Sequence, residues 1–423
     1  MITANALREM SDRRGEPGWM REARLESARR FHDLAAPTWG GGLSDLDFGD
    51  VVLDKVGLDG IDAVIGAHSD AAGQATREEA DAVARRNQEQ LAAQGVVFCP
   101  LERAVTEYPQ FVEDHLGSVV STRNDKLAAL NAAGWSGGWF VYVPPGVEVE
   151  VPLQVSGSGD VGKRSPIERT LIIADEGSRV QYIEGCSAPT YTSQPLFSTV
   201  VEVVVKPAAQ VTHTNIQNWS GPVVEVITKR AHVEAEGHMT WIEANLGSQL
   251  TVSHSATVLA GPKASGAARS VTFAGAGQHQ AVGPEMIHAA PETSSEVVAK
   301  SIAKGGGRVT SRSLVRGDAY DHGCSSAVRS DALLLDAQSV ADLRPSLVLG
   351  VGGAGDAVTG HTATVERVAD EQLLYLQSRG LTAEQAMSMI VTGFSESVTS
   401  ALPLEYAVEW ARLIELRMEG SVG

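Results

Sequence analysis

Residues 169–185, RTLIIADEGSRVQYIEG, and 198–219, STVVEVVVKPAAQVTHTNIQNW, decide how this chain folds. Both are rich in Val, Ile and Thr, both alternate, and each is broken once, by Asp-Glu-Gly or by Pro-Ala-Ala. Alternation with β-branched residues between turn residues is the pattern of short strands. VEVEVPLQV (147–155) and SQLTVSHSATVLAG (248–261) read the same way, and no helix of any length fits between them. A sandwich, a barrel or a coiled β-solenoid would all satisfy many short strands. The recurring turn-then-strand units EGSRVQY, PAAQVTH and GSQLTVS favour the solenoid. A stacked coil needs a small residue at each corner and an inward β-branched residue just after it.

Working outward, the β zone spans about 139–365 and is flanked by helical zones at 1–138 and 366–423. In the first, helices are expected at Glu22–Leu34, Arg77–Gln94 (stopped by Gly95), Leu101–Leu116 and Asp125–Ala133, with a loop at 40–50. In the last, Thr382 and Gln385 form a capping box ahead of Met387, Ile390, Val391 and Phe394. Pro403 opens a second helix striped by Ala407, Ala411, Ile414 and Met418.

Composition narrows the function. The 423 residues carry 34 Lys+Arg against 52 Asp+Glu, a net charge of −18, which argues against a general nucleic-acid binder. Hydrophobic residues are 43% and charged residues 20%, enough for a core and against wholesale disorder. Three cysteines, Cys99, Cys186 and Cys324, with no CxxC pair, give neither a disulfide framework nor a structural zinc site. No apolar run approaches the roughly 20 residues of a membrane span, and the first residues lack the apolar stretch of a signal peptide. A soluble cytoplasmic protein is expected.

Two glycine-rich segments fail as nucleotide sites. Gly157–Lys163 imitates a P-loop, but Arg164 stands where Ser or Thr must hold magnesium, and Pro166 follows where a helix should start. Gly350, Gly352 and Gly355 precede a strand-like segment, so no helix N-terminus would face a pyrophosphate. His213, His232, His238, His254, His279, His288, His322 and His361 are scattered through the β zone without an HxH or HExxH pair, and no GxSxG elbow is present. Paired carboxylates of a glycosidase would have to come from different coils, and the scarce aromatics (5%) argue against a carbohydrate enzyme.

Two strands carry more information. By the two-residue period, 180, 182, 184 and 186 share a face bearing Tyr182, Glu184 and Cys186. Likewise 213, 215, 217 and 219 share a face bearing His213, Asn215, Gln217 and Trp219. An ordinary buried strand would not place hydrogen-bonding groups at four alternate positions. Lys229 and Arg230 follow in the next strand, and a nearby cation favours thiolate over thiol. A lone strand cysteine is otherwise a small buried hydrophobe.

The segments YIEGCSAP (182–189), IQNW (216–219), VITKRA (226–231), MIHAAPETSS (286–295), LLYLQSRGL (373–381) and LEYAVEWARLIELRMEGSVG (404–423) resemble the SufB/SufD family of iron–sulfur cluster assembly scaffolds, closest to SufB. GEPGWMREARLESARRF (15–31), AAQGVVF (92–98) and WSGGWFVYVPPGV (135–147) extend the resemblance over nearly the whole chain. The resemblance implies a right-handed parallel β-helix core flanked by helical N- and C-terminal regions. It implies a scaffold rather than an enzyme, with ATP hydrolysed by a SufC-type ATPase docked on the C-terminal helices. It also implies a SufD-like subunit or a second copy as partner, and a cysteine desulfurase with a SufE- or SufU-type carrier as sulfur donor. A nascent iron–sulfur cluster is the cargo, and a reduced flavin is suspected as electron source in relatives.

Residue by residue, Cys186 matches the family's sulfur acceptor, and Gln217, Trp219 and Lys229 match residues lining the sulfur route. His361 matches an interface cluster ligand in its SufD form, since Thr362 follows where SufB has Glu. Ser330 stands where SufB has its interface cysteine, and Cys324, six residues earlier, is a candidate substitute. Ser158 and Asp160 replace an Arg and an Asn of SufB. The second reading is therefore a SufD-like structural partner that docks the ATPase and contributes a ligand without accepting sulfur.

Overall fold

The structure is a computed structural model that describes residues 2–35, 43, 61–65, 87–123, 125–157, 167–187, 195–219, 221–317, 323–349 and 358–419. The P-loop imitation beyond Gly157, the triad Gly350, Gly352 and Gly355, the 40–50 loop apart from Leu43, and His322, Ser158 and Asp160 lie outside these residues.

The chain forms a parallel β-solenoid of about seven turns, flanked by helices at both ends. Each turn contributes one strand to each of two sheets. One sheet runs β1 (Ile61–Ile65), β4 (Leu153–Gly157), β6 (Arg179–Ser187), β8 (Gln210–Asn218), β10 (His238–Leu246), β12 (Ser265–Ala274), β14 (Ser294–Ala303), β17 (Ser325–Leu334) and β20 (Val358–Arg367). The other runs β2 (Val97–Pro100), β3 (Trp139–Val143), β5 (Ile167–Ala174), β7 (Leu196–Val205), β9 (Val224–Val233), β11 (Leu250–Leu259), β13 (His279–His288), β15 (Arg308–Ser311) and β18 (Val340–Leu343), with β16 (Leu314–Gly317) and β19 (Ser346–Leu349) beside its far end. Only β1 with β4 and β2 with β3 pair antiparallel.

The corners explain why so irregular a repeat still stacks. Gly146, Gly177, Ala208, Glu236, Lys263, Glu292 and Gly323 occupy one corner of successive turns, all with φ between 57° and 71°. Pro145, Pro207, Pro262 and Pro291 precede four of them, the type II turn arrangement with positive φ at the third residue. A left-handed non-glycine residue costs about 1–2 kcal/mol. Bonds to the next coil offset this: Ala208 N–H donates to Ala235 O at 2.9 Å, Glu236 N–H to Pro262 O at 2.9 Å, and Lys263 N–H to Pro291 O at 3.2 Å. The expected requirement for small corner residues is thereby corrected. Glu236, Lys263 and Glu292 face solvent, so the turn constrains φ and leaves side-chain size free.

The N-terminal zone is mixed. Helices α1 (Ala4–Arg14), α2 (Gly18–Asp33), α3 (87–93), α4 (Leu101–Glu107), α5 (Pro109–His115) and α6 (Lys126–Gly134) are joined by strands β1 and β2. The expected single helix over 101–116 is two, because the residue before Pro109 is driven out of the helical region: Tyr108 has φ −129° and ψ 44°. Leu7, Met10, Met20, Phe31, Leu130 and Trp135 pack onto Phe140, Leu171, Ile173 and Val204 of the β2-side sheet. Buried Glu202 pins this unit: it accepts from the backbone N–H groups of Gly117, Val119 and Val120 and from buried Arg169.

At the other end, α7 (Asp370–Ser378), which periodicity alone did not suggest, precedes α8 (Ala383–Thr399) and α9 (Leu404–Glu419). The Thr382–Gln385 capping box is formed as read. Val391, Val398, Trp410, Ile414 and Met418 cover Ala244, Leu246, Val271, Phe273, Ile302 and Leu333 on the outer face of the β6-side sheet.

Candidate functional site

On the β2-side sheet, Val141, Ile172, Val203, Ala231, Thr257, Met286 and Val315 form one inward column, apolar but for Thr257. Opposite them, three ladders run along the β6-side sheet. The first is Tyr182, His213, Trp241, Ala268, Val297 and Val328, ending on His361. Its rings stack, with centroids 5.4 Å apart for Tyr182–His213 and 5.2 Å for His213–Trp241. The second is Glu184, Asn215, Glu243, Ser270, Ala299 and Ser330, every member buried. The third follows the register Cys186, Gln217, Asn245, Thr272, Ser301 and Ala332, and Gln217 through Ala332 are buried.

Alternation along each strand places the buried members of these ladders inward. The same alternation sends Ala244, Val271 and Ile302 outward under the terminal helices. The third ladder carries the longest row of unanswered polar atoms, beside His213 and Asn215 Oδ1 of the other two. Gln217 Oε1, both amide atoms of Asn245, Thr272 Oγ1 and Ser301 Oγ have no hydrogen-bond partner among the described residues. A buried amide or hydroxyl left so costs about 1–3 kcal/mol, and such a row persists where something other than this chain's side chains occupies the space. At about 4.8 Å per coil, the four steps from the Cys186 register to Ser301 span roughly 19 Å.

Charge is concentrated at the start of this ladder. Lys229, on the inner face of β9, is completely buried, with its Nζ 3.4 Å from Glu243 Oε1. Ser253 Oγ donates to Glu243 Oε2 at 3.3 Å. Asn215 Nδ2 donates to Glu184 Oε2 at 3.3 Å, and His213 Nε2 lies 3.8 Å from the same oxygen. Desolvation raises the Glu184 carboxyl, against the pull of Lys229 and Asn215. It lowers His213 well below the usual imidazole range, and Lys229 lowers it further, so the ring is neutral. Glu225, four residues before Lys229 on the same strand face, is pushed up to about 8 by desolvation, against Trp219 and Lys229. Glu168, on β5, is pushed up to about 7 by desolvation and then by Glu184.

The structure brings Gln217, Trp219 and Lys229 to one interior and sets the Cys186 backbone in register with Gln217. It places His361 elsewhere, on β20, whose ten residues are all exposed at the open end of the sheet. Cys324 is not beside it. The ladder neighbour of His361 is Val328, and Cys324, four residues earlier, is about 13 Å further along the strand. The Cys324 thiol is buried among Thr293 Oγ1, at 3.3 Å, and the Ala290 carbonyl. Ser330 is interior and hydrogen-bonds Ser313 at 3.1 Å. No group of three or more His, Cys, Asp or Glu side chains able to hold a metal ion is present among the described residues. Sequence reasoning missed Glu225, Glu243, Asn245, Thr272 and Ser301. The two-residue period applied to HMTWIEANL would have put Trp241, Glu243 and Asn245 on one face.

The described residues form a two-sheet parallel solenoid with a polar, partly ionisable interior, helical units on its outer faces and an exposed last strand, β20. Comparison with known proteins identifies the family. The family profile described as "SUF system FeS cluster assembly, SufBD core domain" matches residues 157–394, and that of the "SufBD protein N-terminal region" matches 79–155. Proteins described as iron–sulfur cluster assembly SufBD family proteins from Staphylococcus aureus strains MRSA252 and USA300 and from Staphylococcus haemolyticus are each 40% identical to it, over all of this chain and 94% of theirs. The chain belongs to the SufBD family of iron–sulfur cluster assembly proteins. None of the helices among the described residues is long and apolar enough to cross a membrane.

Proposed function

We propose that this chain is the sulfur-accepting scaffold subunit of its assembly complex. The Cys186 thiolate attacks the outer sulfur of a persulfide on the sulfur donor. A sulfur–sulfur bond forms to Cys186 as the donor's own bond breaks and the donor cysteine leaves as thiolate. The observation that carries the reading is the column of unanswered polar atoms, Gln217, Asn245, Thr272 and Ser301, running from the Cys186 register toward the open end. Lys229 faces anionic sulfur within that interior, and Gln217 and Trp219 shape its entrance.

The open edge supports a second SufBD chain as partner. Val358 N–H and Val368 N–H bond back to β17, so the alternate N–H groups of β20 face away, free to add a strand. His361 on that edge would ligate iron of the nascent cluster together with groups from the other chain. Exposed Leu374, Tyr375, Met389, Leu404 and Val408 on the terminal helices offer an apolar face to the ATPase, which supplies the ATP chemistry. Anaerobic cluster reconstitution on the purified complex tests this: Cys186→Ser abolishes cluster formation, and an unchanged yield removes Cys186 from the mechanism.

One observation favours a SufD-like role: a serine pair, Ser330 with Ser313, fills the interior where a second sulfur ligand is expected. Persulfide trapping on Cys186 after exposure to the donor separates the two readings, since a purely structural partner carries none.

A further inference from the structure

The interior described above has one cation. Among the described residues on the inner faces of β5 to β11, Lys229 is the only group that carries positive charge, because His213 is held neutral. That charge is already answered by Glu243 at 3.4 Å. Three further carboxyls face the same space: Glu184 beside His213 and Asn215, Glu225 beside Trp219, and Glu168 on the neighbouring coil. Glu184 and Glu225 are almost completely buried. A small anion entering such a space adds negative charge where no uncompensated cation waits for it, in surroundings that screen poorly.

We propose that the solenoid interior admits a small soft anion only while Glu225 is protonated, so that binding draws a proton wherever that carboxyl is ionised. This rests on the sulfur-passage reading for its biological cargo, a hydrosulfide- or persulfide-like sulfur anion, but it is a property of the interior whatever the cargo. The desolvated Glu225 carboxyl titrates near pH 8 in the empty interior, within reach of physiological conditions. An anion beside it opposes its ionisation further, so binding draws a proton wherever Glu225 is partly ionised. Glu168, near 7, and Glu184 add to the effect in the same direction. Lys229 holds the anion's position, its ammonium turning from the Glu243 carboxylate to the guest.

The sign follows from linkage. Below about pH 7, Glu225 is already protonated, and binding takes up almost nothing. At pH 8 binding takes up about half a proton on Glu225, rising toward one at pH 9, and apparent affinity is about tenfold weaker at pH 9 than at pH 7.

Bromide is the probe, because it has no proton of its own to give or take in this range. Titration calorimetry of bromide into the full chain, in two buffers of different protonation enthalpy, reads the proton number directly. The expected result is proton uptake at pH 8 and 9 that vanishes at pH 6, with Glu225→Gln abolishing most of the uptake and flattening the pH profile. Lys229→Met weakens bromide at every pH. Should E225Q not fold, difference infrared spectroscopy of the wild-type chain takes its place, with a gain of protonated-carboxyl C=O absorption on adding bromide at pH 8.5. Bromide binding without proton uptake at pH 8–9, uptake unchanged in E225Q, or no Lys229-dependent bromide binding overturns the proposal. Cys186→Ser separates it from the sulfur reading. That variant keeps the bromide-linked proton, so a reconstitution result that removes Cys186 from the mechanism leaves the linkage standing.

Discussion

Replacing Lys229 with methionine removes a charge but little volume, and it tests whether this lysine serves the fold or the sulfur. The ammonium is fully buried and 3.4 Å from Glu243, so at an effective dielectric constant of about 20 the pair attracts by about 5 kcal/mol. That attraction mostly offsets the desolvation of both groups, so the pair adds little net stability. Breaking it is different: Lys229→Met strands the Glu243 carboxylate and is expected to cost about 3–5 kcal/mol in denaturant unfolding. Lys229→Met with Glu243→Gln removes both charges and should return stability to within about 1 kcal/mol of wild type. Cluster reconstitution is expected to fail in both variants, because neither offers a cation to anionic sulfur. A double variant that is stable and also assembles cluster at the wild-type rate would refute the argument that Lys229's charge acts on the cargo. A single variant as stable as wild type would refute the pairing itself.

Other outcomes follow from the same geometry. Glu202→Gln strands buried Arg169 and weakens the clamp on Gly117, Val119 and Val120; a loss of about 3–5 kcal/mol, with faster proteolytic nicking at 116–123, is expected. Glu225 holds its proton in the fold to about pH 8, against about 4.5 ordinarily, so its contribution is complete below pH 4.5 and is lost as pH rises through 8. Glu225→Gln should remove up to about 5 kcal/mol of that pH dependence, read as a flatter stability profile between pH 5 and 9. Ala363→Pro deletes an outward N–H of β20 without touching the bonds to β17. Sedimentation should then show loss of pairing between SufBD chains with the circular dichroism unchanged.

What was legible in the residues was whatever repeats locally. Alternation in 169–185 and 198–219 marked the strands, the turn-then-strand unit marked the coil, and the Thr382–Gln385 box marked a helix start, because each depends on neighbours a few positions apart. The polar faces of β6 and β8 were visible for the same reason. The Lys229–Glu243 pair, the buried carboxyls and the column from Gln217 to Ser301 were not. Their members lie from half a coil to one coil apart in sequence and meet only when the coils close and stack, and the coil length varies, so no fixed spacing announces them. The separation of Cys324 from His361 has the same origin: six residues from Ser330 looked close along the chain, yet the extended backbone set Cys324 beside Val358, at the start of the edge strand. Sequence determined which segments extend, turn and coil; tertiary stacking decided which side chains share the low-dielectric interior, and with them the charges and protons that interior holds.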